Sequence, residues 1–472
     1  TALILYNQSK YYSPSLQYYV PNAYQGLVGR LTYEYASRYL AEFNMGYNGT
    51  ENFAKGKRFG FFPAVSLGWV ISEEKFFPKN NIVKYLKVRG SYGEVGNDQI
   101  GGDRFLYLPS SYGAASDSGV NKYNFGLASN PYTSLMIVEN KIGNPDLTWE
   151  KAKKMNVGVD INLFNNCLTA SFDIFKEKRN NILANRSTSP MIIGANLPAY
   201  NFGEMENRGW EMDLNFRHHI QDFHYWARFN YSFARNEIIY MDEVQKRYDY
   251  QMTTGIRKNQ FFGLIFDGYY NSWEEINALD RPKSSWSGNQ LQPGDVKYVD
   301  VNQDGVIDDY DMVPIGYTPV PEIIYGFSFG AQYKGFDFSI LFQGADNVSI
   351  KYFGRSMWPF AKGEESAKSL IKERWTQERY EAGEKITFPR LSLNPNGETD
   401  HNYRPSTLWI RDASYLRLKN LEVGYTFTGG FVKRLNLNSV RLYFNGSNLF
   451  TWTDVVDLDP EAPSPLPSHQ LQ

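Results

Sequence analysis

Segments of about ten to thirteen residues alternate apolar with polar side chains, and the connections between them are sorted by length; few folds satisfy both constraints. The clearest pair is Glu322–Tyr333 and Phe336–Ala345, joined by Lys334-Gly335. In the first, Ile323, Tyr325, Phe327, Phe329, Ala331 and Tyr333 share one parity, against Ser328, Gly330 and Gln332. In the second, Phe336, Phe338, Ile340 and Phe342 alternate with Asp337, Ser339 and Gln343. A period of two with unlike faces specifies a sheet standing between two unlike environments. The same pattern recurs at Tyr24–Tyr35, Arg38–Asn48, Phe61–Ile71, Tyr85–Val95, Lys154–Phe164, Leu168–Lys178, Trp210–Phe216, Phe223–Phe233, Tyr415–Phe427 and Ser439–Phe450. By this test the chain has about twelve strands.

Connections at 36–37, 165–167, 218–222 and 334–335 are short, whereas those at 96–153, 237–321 and 346–413 are long. Short and long largely alternate, so turns collect at one end of the sheet and long loops at the other. That is the plan of an antiparallel transmembrane β-barrel with tight periplasmic turns and long extracellular loops. The strands are long enough to cross a bilayer at a tilt. A soluble sandwich has no reason to sort its loops in this way.

Composition agrees with an all-β membrane protein. Aromatic residues make up 16%, with 35 Tyr and 32 Phe, and such rings suit interfaces that are apolar on one side and wet on the other. No run of about 18 apolar residues occurs, which excludes a spanning helix but not a barrel whose strands are only half apolar. A net charge of -2 gives no electrostatic footprint for nucleic acid. The single cysteine, Cys167, rules out a disulfide framework within the chain and a Cys-based zinc site. Thr1-Ala-Leu-Ile-Leu has none of the features of a signal peptide, and the chain is expected to be a piece of a longer one.

The long loops hold the candidate sites. Asp300-Val-Asn302-Gln-Asp304-Gly305-Val306-Ile-Asp308-Asp-Tyr-Asp311 places oxygen donors at alternate positions before a glycine, and a carboxylate returns six residues after it. This is the logic of a calcium loop, with Asp300, Asn302, Asp304, the Val306 carbonyl and Asp311 as ligands and Asp308 acting through water. Position twelve is Asp rather than Glu, and a strand rather than a helix precedes the loop. The expected cofactor is therefore a structural Ca2+, with an Asx-turn loop that needs no metal as the alternative. Within 346–413, Glu364–Glu381 is expected to form a short helix. Trp273, Trp286, Trp358 and Trp409 lie in or beside the loops, suited to sugar stacking or to packing of the loops on one another. Adjacent side chains in extended backbone point apart, so His218-His219 is expected to be a solvated turn. No nucleophile–base pattern, zinc signature or phosphate loop occurs, which disfavours an enzyme.

Several spaced segments resemble the SusC/RagA family of TonB-dependent outer-membrane transporters. They are Asn207-Arg-Gly-Trp-Glu211, Gly294-Asp-Val-Lys-Tyr-Val-Asp-Val-Asn-Gln-Asp-Gly305, Thr318-Pro-Val-Pro-Glu-Ile-Ile-Tyr-Gly326, Asp412-Ala-Ser-Tyr-Leu-Arg-Leu-Lys-Asn420, Asn445-Gly-Ser-Asn-Leu-Phe450 and Asp457-Leu-Asp-Pro-Glu461. The resemblance implies a plug, a TonB-contacting segment and a 22-stranded barrel, of which residues 1–472 would be the C-terminal portion. It also implies a final strand that is not recognisable in Pro465–Gln472. The expected function is TonB-dependent import of a bulky glycan or peptide across the Gram-negative outer membrane, with a SusD-like surface lipoprotein as lid. Against it stand an outer-membrane barrel enzyme or passive porin, and a secreted calcium-dependent binding module.

Overall fold

A computed structural model describes the chain apart from residues 13–20, 100–103, 109–112, 115–121, 128–131, 136, 139–141, 189–196, 287–290, 353–356, 361–368, 393–399, 457 and 462–472. Asp457, the start of the expected helix at Glu364–Lys368, and the terminal segment at Pro465–Gln472 thus lie outside the described residues. The principal strands are β1 (Ala2–Tyr11), β2 (Asn22–Tyr35), β3 (Tyr39–Thr50), β4 (Phe59–Val70), β5 (Val83–Asn97), β6 (Glu150–Leu163), β7 (Leu168–Ala184), β8 (Tyr200–Ile220), β9 (Phe223–Tyr240), β10 (Ile323–Tyr333), β11 (Phe336–Asp346), β12 (Tyr415–Phe427) and β13 (Val440–Thr453). They form one 13-stranded sheet in chain order, a meander. The alternation test finds the last twelve of these and misses β1. That strand runs apolar from Ala2 to Tyr6 and polar from Asn7 to Lys10, so it never alternates.

The chain divides into two compact units, one built from Thr1–Ile161, Asp173–Arg208 and Asn236–Val244, the other from Asn162–Phe172, Gly209–Arg235 and Gln245–Gln472. In the first, residues of equal parity line up across the strands. Leu31 pairs with Phe43, Phe43 with Val65 and Val65 with Tyr92. All four are exposed. One position along, Thr32 pairs with Glu42, Glu42 with Ser66 and Ser66 with Ser91. One face of the sheet is thus a bare apolar surface and the other a polar wall. On the polar side Arg89 reaches Asp160 at 3.1 Å and Asp173 at 2.7 Å. A groove of about 670 Å³ there is lined by Thr32, Glu42, Ser66, Arg89, Ser91 and Asn156 among others.

The second unit repeats the contrast. Phe229 pairs with Phe327 and Phe327 with Phe342, while Asn230 pairs with Gly326 and Gly326 with Gln343. Arg441 bridges Asp337 and Glu422 on the polar parity. The two-residue turn at Lys334-Gly335 has φ of 45° and 93°, the twist that closes a hairpin without splaying its strands.

The expected helix at Glu364–Glu381 is, among the described residues, two shorter pieces: a 3-10 turn at Ser369–Glu373 and an α-turn at Gln377–Glu381. Between them Trp375 leaves the helical path to enter a buried core, donating its backbone N–H to the Phe388 carbonyl at 2.8 Å. Thr376 then caps the second piece, accepting from Arg379 N at 3.3 Å.

Candidate functional site

The long connections between β9 and β10 and between β11 and β12 are one folded body. Its core is Leu264, Tyr269, Val296, Tyr298, Ile307, Val348, Ile350, Tyr352, Met357, Trp358, Trp375, Phe388, Tyr403, Leu408, Trp409, Ala413 and Val455. These residues come from both connections and from the segment after β13, so neither loop could bury its apolar side chains alone. Small ladders tie the chain locally: Phe261–Gly263 with Val313–Ile315, Phe266–Tyr269 with Val296–Tyr298, and Ser349–Lys351 with Ile410–Asp412. Across the two connections, Leu264 N donates to Pro405 O at 2.9 Å and Thr407 N to Leu264 O at 3.0 Å. Trp358 and Trp409 are buried and Trp286 packs against the core with Arg404 over its ring at 4.1 Å. Of the tryptophans flagged from the sequence, Trp273 presents an exposed ring.

A polar knot inside this body joins residues about a hundred positions apart. Asp295 is almost wholly buried. Its Oδ1 lies 2.6 Å from Arg390 Nε and accepts from Asn402 Nδ2 at 2.7 Å, while Oδ2 accepts from Gln292 N at 2.7 Å. Asn402 Oδ1 in turn accepts from Val296 N at 2.9 Å. His401 Nε2 lies 2.8 Å from the Val296 carbonyl, and its Nδ1 lies 3.1 Å from Ser284 Oγ. The carbonyl can only accept, so Nε2 carries the proton and Nδ1 accepts from the hydroxyl. Burial holds the His401 pKa below the ordinary histidine value. At the base of the loops Glu322 is held by Arg235 at 2.8 Å and Arg257 at 2.5 Å. Sequence reasoning relates none of these groups to one another, because no local spacing links Asp295 to Asn402; Asp295, Val296 and Glu322 lie inside motif segments, without any role there.

The loop Asp300–Asp311 begins just after the short strand Val296–Tyr298, as expected. Asp300 Oδ2 accepts from Gly305 N at 2.8 Å, Asn302 Oδ1 from Asp304 N at 3.0 Å, and Asp304 Oδ1 from Val306 N at 2.9 Å. Asn302 Nδ2 donates to Asp304 Oδ2 at 3.1 Å. Gly305 has φ of 83°, so the turn itself asks for glycine. Asp311 is completely buried and closes the loop: Oδ1 accepts from Val301 N at 2.8 Å, and Oδ2 from Asp308 N at 2.8 Å. Burial raises the Asp311 pKa above the ordinary carboxylate value against those backbone donors, and the Asp300 charge raises it further.

Asp300, Asn302 and Asp304 thus gather around the Gly305 turn, and Val306 begins a two-residue strand beside Lys283–Ser284. Asp311 meets the same segment through the backbone N–H groups of Val301 and Asp308. Asp300 Oδ1 is buried with no hydrogen-bond partner. Among the described residues no three His, Cys, Asp or Glu side chains converge as a ready-made metal cage.

A family model described as TonB dependent receptor-like, beta-barrel matches residues 5–449. TonB-dependent receptor P3 of Formosa agariphila is 29% identical over 444 residues, covering 92% of this chain and 41% of that protein. TonB-dependent receptor SusC of Bacteroides thetaiotaomicron is 28% identical over 462 residues, covering 95% of this chain and 42% of that protein. A solved structure described as the RagAB peptide transporter superposes with a TM-score of 0.70 at 22% identity, over 94% of this chain and 45% of that one. The chain spans 41% to 43% of the length of the curated relatives it matches.

Proposed function

The chain belongs to the TonB dependent receptor-like β-barrel family, whose members are outer-membrane proteins, and from that membership we propose that it is the C-terminal portion of an active importer. The intact protein would carry a bulky nutrient, a glycan or a peptide, across the outer membrane and perform no chemistry on it. The observation that supports this reading best is the sheet with one bare apolar face and one charged, polar face. Side chains such as Leu31, Phe43, Val65, Phe327 and Phe329 stand exposed, which lipid tolerates and water does not. The folded body of the long loops is the second support, since a passive pore needs no rim with a core of its own.

The likeness to SusC, and to a structure described as the RagAB peptide transporter, supports energy from TonB and a SusD-like lipoprotein lid as part of this proposal. Uptake measured in a strain lacking TonB tests the drive: unchanged uptake overturns active import. Purification from gently solubilised membranes tests the lid, which is wrong if no lipoprotein accompanies the intact protein.

The loop at Asp300–Asp311 is proposed to take one structural Ca2+ through Asp300, Asn302, Asp304 and the Val306 carbonyl. The buried, unpartnered Asp300 Oδ1 supports it, because an orphaned carboxylate oxygen costs stability unless a cation or donor meets it. Asp311 completes the set: each of its oxygens accepts a backbone N–H that closes the loop and keeps a lone pair for the ion. Calcium titration of the intact protein, read by hydrogen exchange at residues 300–308, should show slowed exchange that Asp304→Ala abolishes. Exchange indifferent to calcium would leave the loop an Asx-turn structure without metal.

A further inference from the structure

Three of the chain's five histidines lie at one hairpin tip, with its only cysteine, Cys167, in the turn between the neighbouring strands β6 and β7, and neither the import reading nor the calcium-type loop uses them. Strands β8 and β9 are joined by Gln221-Asp222 alone, with Gln221 in the left-handed region at φ 53°. A two-residue connection fixes the register, so Ile220 stands opposite Phe223 and His219 opposite His224. The neighbours His218 and His219 therefore have different partners. His218 Nδ1 lies 3.4 Å from Cys167 Sγ, and its ring meets Tyr225 edge-on. His219 stacks on His224, with ring centroids 5.5 Å apart and 25° between the planes, while the His218 ring lies farther off, at 6.1 Å and 36°.

We propose that His219 and His224 form a two-imidazole site for a borderline divalent cation of the Cu2+, Ni2+ or Zn2+ kind. Directly opposed residues on antiparallel strands have Cβ atoms about 4.5–5.5 Å apart, which lets two imidazoles aim a nitrogen each at one point between them. Metal–nitrogen bonds of about 2.0–2.1 Å place two such ligands within reach of that point after small rotations of the rings. Imidazole selects copper, nickel and zinc over calcium and magnesium, which separates this site from the all-oxygen loop at Asp300–Asp311. Both rings are exposed, so the remaining coordination positions are open to water. Gln332 is the register partner of His224 on β10. The site depends on backbone register alone, so it needs no further residue to assemble.

The test uses the intact protein in detergent micelles. Cu2+ is added and the nitrogen hyperfine pattern is followed by electron paramagnetic resonance, with Zn2+ as competitor. The wild type should show one site with two nitrogen ligands per chain that zinc displaces. His219→Gln and His224→Gln should each weaken it about tenfold or more, since losing a ligand costs at least as much as losing a supporting contact. Cys167→Ser and His218→Gln should leave it intact, and heat-modified migration on gels checks that each variant keeps its barrel. Binding that survives the double His219→Gln, His224→Gln change overturns the proposal. So does binding that disappears with Cys167→Ser, which would place the metal on the Cys167–His218 pair.

Discussion

The side chains that matter most to the loop body are those whose partners lie far away in the chain. His401 sits neutral between the Val296 carbonyl and Ser284 Oγ, with Asp295, Asp400 and Arg404 the charged groups that act on it. Its folded pKa is depressed, so the unfolded state takes up the proton first as pH falls. Stability is then fully present above the ordinary histidine value of about 6.5 and is lost progressively below it. Protection of the Val296 and Asn402 amides relative to their intrinsic exchange rates should fall as pH drops below the ordinary histidine value, and His401→Gln should flatten that dependence. An equal loss of protection in the variant would mean another group is responsible. Arg390 and Asp295 make a second test. Removing one partner of a buried pair strands the other charge, at about 3–5 kcal/mol. Arg390→Met should lower the opening free energy of this body by about that amount; Asp295→Asn, which keeps a hydrogen-bonding amide beside Asn402, should cost less.

Elements obey a simpler rule, because period-two patterning places each side chain on one face or the other. Phe329 is exposed on the apolar parity and Asn230 lies on the opposite parity, paired with Gly326. If the apolar face meets lipid, Phe329→Arg should cost about 2–4 kcal/mol near the bilayer midplane and Asn230→Arg far less. Urea unfolding of the barrel in lipid vesicles measures both, and equal costs would refute the face assignment. The strands, their parities and the Lys334-Gly335 turn were legible because each depends on a few adjacent residues. The helix expected at Glu364–Glu381 was not, since Trp375 gains more from burial beside Phe388 than from continuing a surface helix. β1 is not legible by this test because its apolar residues are gathered in Ala2–Tyr6 and its polar ones in Asn7–Lys10, a pattern without period two.

At the scale of the whole molecule, β1 and β13 stand at the two ends of the strand order. Hydrocarbon does not tolerate a row of unpaired amides, so in the membrane both ends should pair with further strands of the intact barrel. Amides along Ala2–Tyr11 and Val440–Thr453 should then exchange slowly on both sides of each strand in the full protein. Rapid exchange of alternate amides in either strand would show an open edge and sink the expectation. The sequence by itself determined the all-β class, the faces of the strands, the sorting of turns from long loops and the position of the Asp300–Asp311 loop. Each of these follows from local periodicity or from residue types a few positions apart. Only the tertiary structure decided that the two long loops share one core, that Asp295, Arg390, His401 and Asn402 meet, that Asp311 closes its loop through backbone donors, and that His219 faces His224 across the hairpin. Those contacts join positions related through chain folding and strand register, and no pattern within a short window of sequence encodes them.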